Sequence, residues 1–306
     1  MTATRLVLFA VTATLLAGPG RALLVRARWT ERIPRNAIVL WQALGAAVVV
    51  SLVGVCIEAV HLADQRTPTR RAVTDFNAHG IVATAPGGMT PGELFALTAA
   101  LIVGTLTAGA ILTRLISHAH ARARQRMLID LLGAEHPQLP GALVLPSPQA
   151  AAFSLPGVHS RIVVSTGAIA TLADDELSAV LAHERAHVRA RHDLVLLPFR
   201  ALASLLPRSQ TLARVRNEVG ALVEMAADDR VMKDFEADAL VRALCRLATT
   251  AAPEVALAAT TSALPRRVER ALVTAPRARL LAGATALSAA AVFTLPLATL
   301  LVPLGR

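Results

Sequence analysis

The sequence predicts an α-helical integral membrane protein of four transmembrane helices, with an α+β domain inserted between the third and the fourth. Three observations predict it. The 306 residues are 54% hydrophobic and only 17% charged, with a mean hydropathy of +0.54, well beyond the apolar share of a soluble domain. Four apolar stretches, about 6–25, 37–60, 94–116 and 280–302, each approach the roughly 20 residues that cross a bilayer as a helix. The interval 118–279 is then the one stretch long enough to fold in water, so that 1–117 holds three spans and 280–306 the fourth span and the C-terminus.

The first span is interrupted by Gly18, Pro19, Gly20 and Arg21, and Met1–Ala17 alone also reads as a signal peptide. Loop charge separates the two readings. Arg21, Arg26, Arg28, Arg32 and Arg35 face a single acid, Glu31, before the second span, and the positive-inside rule keeps such a loop in the cytoplasm. A cleaved signal would export those arginines, so a spanning helix with its N-terminus outside is expected. Residues 61–93 balance Arg66, Arg70 and Arg71 against Asp64, Asp75 and Glu93, as suits an external loop. Basic charge resumes at Arg114, Arg122, Arg124 and Arg126, and again at Arg277 and Arg279. Domain 118–279 is therefore expected in the cytoplasm, both termini outside, and the protein in the plasma membrane with the lipid bilayer as its first partner.

The formal charge of +10 is almost wholly arginine, Lys233 being the one lysine. Nucleic-acid binders group such charge on one face and interleave aromatic rings for stacking. With 3% aromatic residues and no tyrosine, no direct nucleic-acid binding is expected. Cys56 and Cys245 form no CxxC pair and stand far apart, which supports neither a disulfide framework nor a cysteine zinc site.

Within 118–279, Ala142–Leu145 and Arg161–Ser165 read as short strands between turn residues, and 151–155 as a third, edge strand. From Thr171 the pattern turns helical, with Leu177, Val180, Leu181 and Val188 at helical spacing and Asp174 or Asp175 as the cap. Leu194–Leu206 is apolar but too short to span, and is broken by Pro198 and Pro207; it predicts an interfacial or buried helix. Residues 214–234 predict a second long helix on Val215, Val219, Leu222, Val223, Ala226 and Val231.

The chemistry sits on these two long helices. His183, Glu184 and His187 spell H-E-x-x-H, which places two imidazoles on one helix face a turn apart, as binding a single zinc ion requires. Nine histidines and 11 glutamates make about 0.01 such matches expected by chance. The motif is also compatible with a solvated surface helix, so a third ligand decides. Glu224 supplies a candidate 37 residues past His187, and Asp228 follows one turn later, placed to accept a ligand's free ring N–H. Zn2+ held by His183, His187 and Glu224 would polarise a scissile carbonyl, with Glu184 as the base that takes the proton of the attacking water.

The segments H-E-R-A-H-V-R-A-R-H-D at 183–193 and V-E-M-A-A-D-D-R-V-M at 223–232 resemble the BlaR/MecR antirepressor metallopeptidases, relatives of the HtpX and Ste-type prenyl-protein proteases. A-F-S-L-P-G and R-I-V-V-S-T-G-A extend the resemblance over roughly 140–275. It implies a gluzincin-type zinc peptidase domain in the cytoplasm, three helices before it and one after. It also implies signal transduction in an antibiotic response, with a protein or peptide substrate such as a BlaI/MecI-like transcriptional repressor. The family's beta-lactam sensor domain does not follow residue 306, so direct sensing is not expected of this chain. An HtpX-like quality-control protease and a non-catalytic membrane signalling partner are the alternatives, and the sequence assigns no oligomeric state. Lacking tyrosine, the chain offers His192, Arg230 and Arg267 as donors to a tetrahedral oxyanion. Arg267 opens R-V-E-R-A-L, similar to an arginine-bearing segment of these families, although the preceding T-S-A-L-P lacks their His-Pro. Ala152, Phe153 and Ser154 are the candidate edge to which an extended substrate adds as a strand.

Overall fold

The computed structural model describes residues 2–66, isolated positions between 98 and 121, and residues 123–137, 139–155, 160–250, 263–273 and 279–300. The expected span 94–116 lies outside the described residues apart from those isolated positions. The chain forms two compact units, one of 1–27, 39–110 and 280–306, the other of 28–38 and 111–279.

In the first unit, α1 (Thr2–Leu15) passes through a π-helical turn (Leu16–Gly20) into α2 (Arg21–Arg26). The expected interruption at Pro19 thus widens the helix without ending it. Proline cannot donate to the carbonyl a turn back, and a π turn absorbs the mismatch. The Arg21 N–H reaches back to the Leu16 carbonyl, while its Nε donates to the Ala17 carbonyl at 3.0 Å. α3 (Pro34–Arg66) starts with proline, whose missing N–H costs nothing in a first turn. Buried Phe9 of α1 packs on Gly54 of α3, where an added Cβ would stand 2.7 Å from the ring. Arg5 and Glu58 pair at 3.7 Å between the same helices. Ala3–Arg26, Pro34–Ala59 and Leu281–Thr299 are, among the described residues, the helical stretches long and apolar enough to cross a membrane.

In the second unit, β1 (Ala134–Glu135), β2 (Ala142–Leu145), β3 (Ala152–Leu155) and β4 (Arg161–Ser165) form one sheet in the order β1-β2-β4-β3. β4 is central, parallel to β2 and antiparallel to β3, with Ala152 opposite Val164 and Ser154 opposite Ile162. Strand alternation sends Ile162 and Val164 to one face and Val163 to the other. The first face packs on Leu177, Val180 and Leu181 of the motif helix, and the second on Ile129 and Leu155. The Ser165 hydroxyl accepts from the Ala168 N–H, capping α4 (Thr166–Thr171), and from the Ala151 N–H ahead of β3.

The motif helix is α5 (Asp174–Arg189). Its cap differs from the expectation of Asp174 or Asp175: the Ala173 N–H donates to Glu176 Oε2 at 3.0 Å, and Glu176 is buried beneath Arg242 and Arg246. α6 (His192–Leu205) continues through Pro198, where a break was expected; it buries Leu196, Phe199 and Ala203 and exposes Leu194 and Leu202. α7 (Gln210–Val231) is the central helix of the unit, with Val219, Val223, Met225 and Ala227 fully enclosed, and it packs against α5 and α6. α8 (Ala237–Thr250) covers α5, and α9 (Leu264–Leu272) lies against α7 and α8. α10 (Arg279–Leu300) belongs with the first unit.

Candidate metal centre

Two helices that pack for apolar reasons bring the polar residues together. α5 aims His183 and His187 toward α7, and α7 answers with Glu224 and, a turn later, Asp228. The Nε2 atoms of the two histidines are 3.1 Å apart. Glu224 places Oε2 3.3 Å from Nε2 of His183 and Oε1 3.6 Å from Nε2 of His187. Ligand atoms about 2.1 Å from a tetrahedral zinc stand about 3.4 Å from one another, so the donor set fits that ion. Each Nδ1 faces an outer partner, so a proton carried there would leave both Nε2 lone pairs directed at the same place. Glu224 is 36% exposed along its side chain, which leaves this cluster open on one side.

The outer partners differ. His183 Nδ1 lies 3.1 Å from Asp228 Oδ1, an oblique contact, and Asp228 is gripped by Arg267 through Nε at 2.8 Å and Nη2 at 2.7 Å. Arg267 also sends Nη1 to Glu224 at 3.2 Å, and it feels the charge of Glu184. His187 Nδ1 instead lies 3.0 Å from Nδ1 of His192, the two rings nearly perpendicular with centroids 4.7 Å apart. Burial alone would lower the His183 pKa, but contacts with Asp228 and then Glu224 raise it to about 9. Burial pushes the Glu224 and Asp228 carboxyls up, yet His183 and His187 hold the first, and Arg267 and His183 the second, below the ordinary range. Burial, then His187, lowers His192 to about 4, leaving its ring neutral.

The structure thus gathers His183, His187, Glu224, Asp228, Arg267 and His192 into one cluster, with Glu184 beside the first histidine. Arg267 spends its guanidinium on two carboxylates, and His192 stands behind a candidate ligand. Arg230 lines a separate groove with Ala182, Arg185, Arg189 and Phe235. Ala152, Phe153 and Ser154 lie on β3, whose outer edge carries no strand among the described residues, and β3 packs against α5.

Sequence reasoning missed the other arginines of α9. Arg266 pairs with Glu31 at 2.8 Å and Glu218 at 3.1 Å, and Arg270 with Asp229 at 2.5 Å and the Glu31 carbonyl. The signal was present as three arginines within five residues facing the acids of α7, but nothing local says which acid each will meet.

Residues 117–272, just over half of the chain, match Peptidase family M48. The chain belongs to that family. M48 peptidases are generally zinc-dependent, so this M48 chain is a metallopeptidase whose His183, His187 and Glu224 could hold the ion. The match begins at residue 117, one position before the expected soluble domain, and ends with α9, and so includes the Arg267 helix in the M48 unit. No curated protein and no solved structure matches the chain.

Proposed function

We propose that this M48 peptidase is a membrane-embedded zinc endopeptidase of regulatory type, which cuts a cytoplasmic protein such as a BlaI/MecI-like repressor. The observation that carries the catalytic part is the convergence of two Nε2 atoms and one carboxylate at tetrahedral spacing, beside the glutamate of the same helix. Bound zinc supplies Lewis acidity toward the scissile carbonyl and the attacking water. Glu184 takes the proton of that water on its carboxylate and passes it to the nitrogen of the leaving amine. The outer edge of β3, which carries no strand among the described residues, holds the substrate extended by main-chain hydrogen bonds, and Arg267 balances Asp228 and Glu224 so that neither draws a proton. The cytoplasmic placement is supported by the arginine-rich segment 28–32, whose Glu31 pairs with Arg266 and Arg270 of the peptidase unit. A loop that the positive-inside rule keeps in the cytoplasm and the metal centre then share one side of the membrane.

The test is Glu184→Gln in the full chain in detergent, with a purified repressor of this class as substrate. Zinc should stay at one per chain while cleavage falls by about 10³-fold or more. Retained cleavage would remove Glu184 as the base. Cleavage of unfolded peptides without any of the repressor would remove the regulatory substrate and keep the chemistry. Cysteine labelling of intact cells checks the orientation, with positions near Thr84 reachable and those near Arg124 shielded.

A further inference from the structure

We infer that His192, whose ring stands where metal-bound histidines usually meet a carboxylate or a carbonyl, is a positioning residue that selects the metal-binding tautomer of His187. The inference rests on the reading of His183, His187 and Glu224 as zinc ligands and adds a residue to it.

A neutral imidazole has one N–H and one lone pair. Nε2 of His187 faces Nε2 of His183 at 3.1 Å and Glu224 at 3.6 Å, so a metal at that point requires the lone pair there and the proton on Nδ1. That Nδ1 stands 3.0 Å from Nδ1 of His192, with room for a single proton between the two. If His187 donates, His192 accepts and keeps its own proton on Nε2. If His192 donates, the proton of His187 sits on Nε2 and blocks the metal. The tautomer of His192 and the metal competence of His187 are therefore one choice.

The chain makes a particular effort to bring the two rings together. In an unbroken helix, a residue five positions on lies about 140° round the axis and cannot face its predecessor. Here Ala190 ends α5 and Arg191 adopts the left-handed conformation, φ 51 and ψ 43, so that α6 begins at His192 and returns its ring to His187. Arg191 is the one non-glycine residue with positive φ among the described residues. His192 is 7% exposed, so water does not compete for the His187 proton. The two candidate ligands are consequently backed unequally, His183 by a carboxylate that Arg267 grips and His187 by a second imidazole. A carboxylate at 192 would orient His187 as well but would add a negative charge beside the metal and weaken its pull on substrate and water.

The experiment uses the full chain in detergent, with zinc affinity from chelator competition, the visible spectrum of the Co2+ form, and the kcat/KM pH profile. His192→Leu should lose about 10- to 100-fold in zinc affinity and broaden the Co2+ bands. The thermal unfolding of the metal-free protein serves as the control for folding. His192→Asn, whose side-chain oxygen can take the place of Nδ1 as acceptor, should recover most of that affinity. His192→Asp should recover it too, while moving the acid limb of kcat/KM to higher pH. Zinc binding by His192→Leu within twofold of wild type would overturn the inference, as would failure of His192→Asn to recover any affinity while it folds normally. An unmoved acid limb in His192→Asp would overturn its charge argument. Absence of zinc binding in the wild-type protein would instead bring down the metal reading itself.

Discussion

The two ends of α5 are both pinned by buried acids, and the acids differ in what holds them. At the start, Glu176, with its side chain 1% exposed, takes Arg242 and Arg246, which are 49% and 51% exposed. Near the other end, Asp228, 4% exposed, takes Arg267, itself only 11% exposed, and has an imidazole at 3.1 Å. Half-exposed guanidiniums lend a screened attraction, whereas an enclosed pair is strong and leaves a costly charge behind when one partner is lost. Burial of an acid therefore does not mark a site; the company it keeps does. Glu176 closes a helix, and Asp228 transmits a charge balance to the candidate ligands.

The sharpest way to break this contrast is Arg267→Met, which keeps the length of the side chain and removes its charge. It should destabilise the second unit by about 3 kcal/mol, because Asp228 is left without its partner, and should weaken zinc binding at the same time. Denaturant unfolding and chelator competition on one preparation measure both. Glu176→Gln is the counterpart. It should cost about 1 to 2 kcal/mol through the weakened cap while leaving zinc affinity within twofold of wild type. Were Glu176→Gln to loosen zinc as much as Arg267→Met does, the two ends would be one coupled network and the distinction between them would fail.

Much of this arrangement was legible before any coordinates. The strands expected at 142–145, 151–155 and 161–165 form, the second from Ala152, and the helices bearing His183 and Glu224 form on their apolar faces, the latter as Gln210–Val231 where 214–234 was expected. Four-residue spacing alone brings His183 and His187 together. What the sequence hid depends on tertiary partners. The cap, expected of Asp174 or Asp175, falls to Glu176 because α8 supplies two arginines over it. Pro198 lies inside α6, whose buried face on α7 outweighs the one hydrogen bond that proline removes. His192 reads as an oxyanion donor in one dimension because nothing there announces a left-handed Arg191.

The raised pKa of His183 sharpens the contrast in another way. A histidine whose folded pKa lies near 9 against an unfolded 6.5 stabilises the metal-free protein fully below about pH 6.5, and this contribution is lost as pH rises through about 9. Zinc needs the same nitrogen free of its proton, so its binding should tighten by roughly tenfold per pH unit over that window and release a proton at neutral pH. Calorimetric titration in buffers of different ionisation enthalpy counts that proton. Asp228→Asn should flatten the dependence and Glu176→Gln should not touch it, because only the first carboxylate faces the ring.

The smallest effect expected is at the turn that ends α5. A left-handed arginine gives up roughly 1 kcal/mol relative to glycine in the same conformation, while glycine loses more freedom on folding. The two nearly cancel, so Arg191→Gly should change stability by less than about 1 kcal/mol and leave zinc affinity as it is. Arg191→Val adds a branched Cβ that resists positive φ, and should either destabilise the turn by about 1 to 2 kcal/mol or shift His192 off His187, with zinc affinity falling in step. Thermal unfolding and chelator competition separate these outcomes. A valine variant equal to wild type in both would mean that the route of the chain through residue 191 does not govern how His192 meets His187, and that packing of α6 on α7 suffices to hold it there.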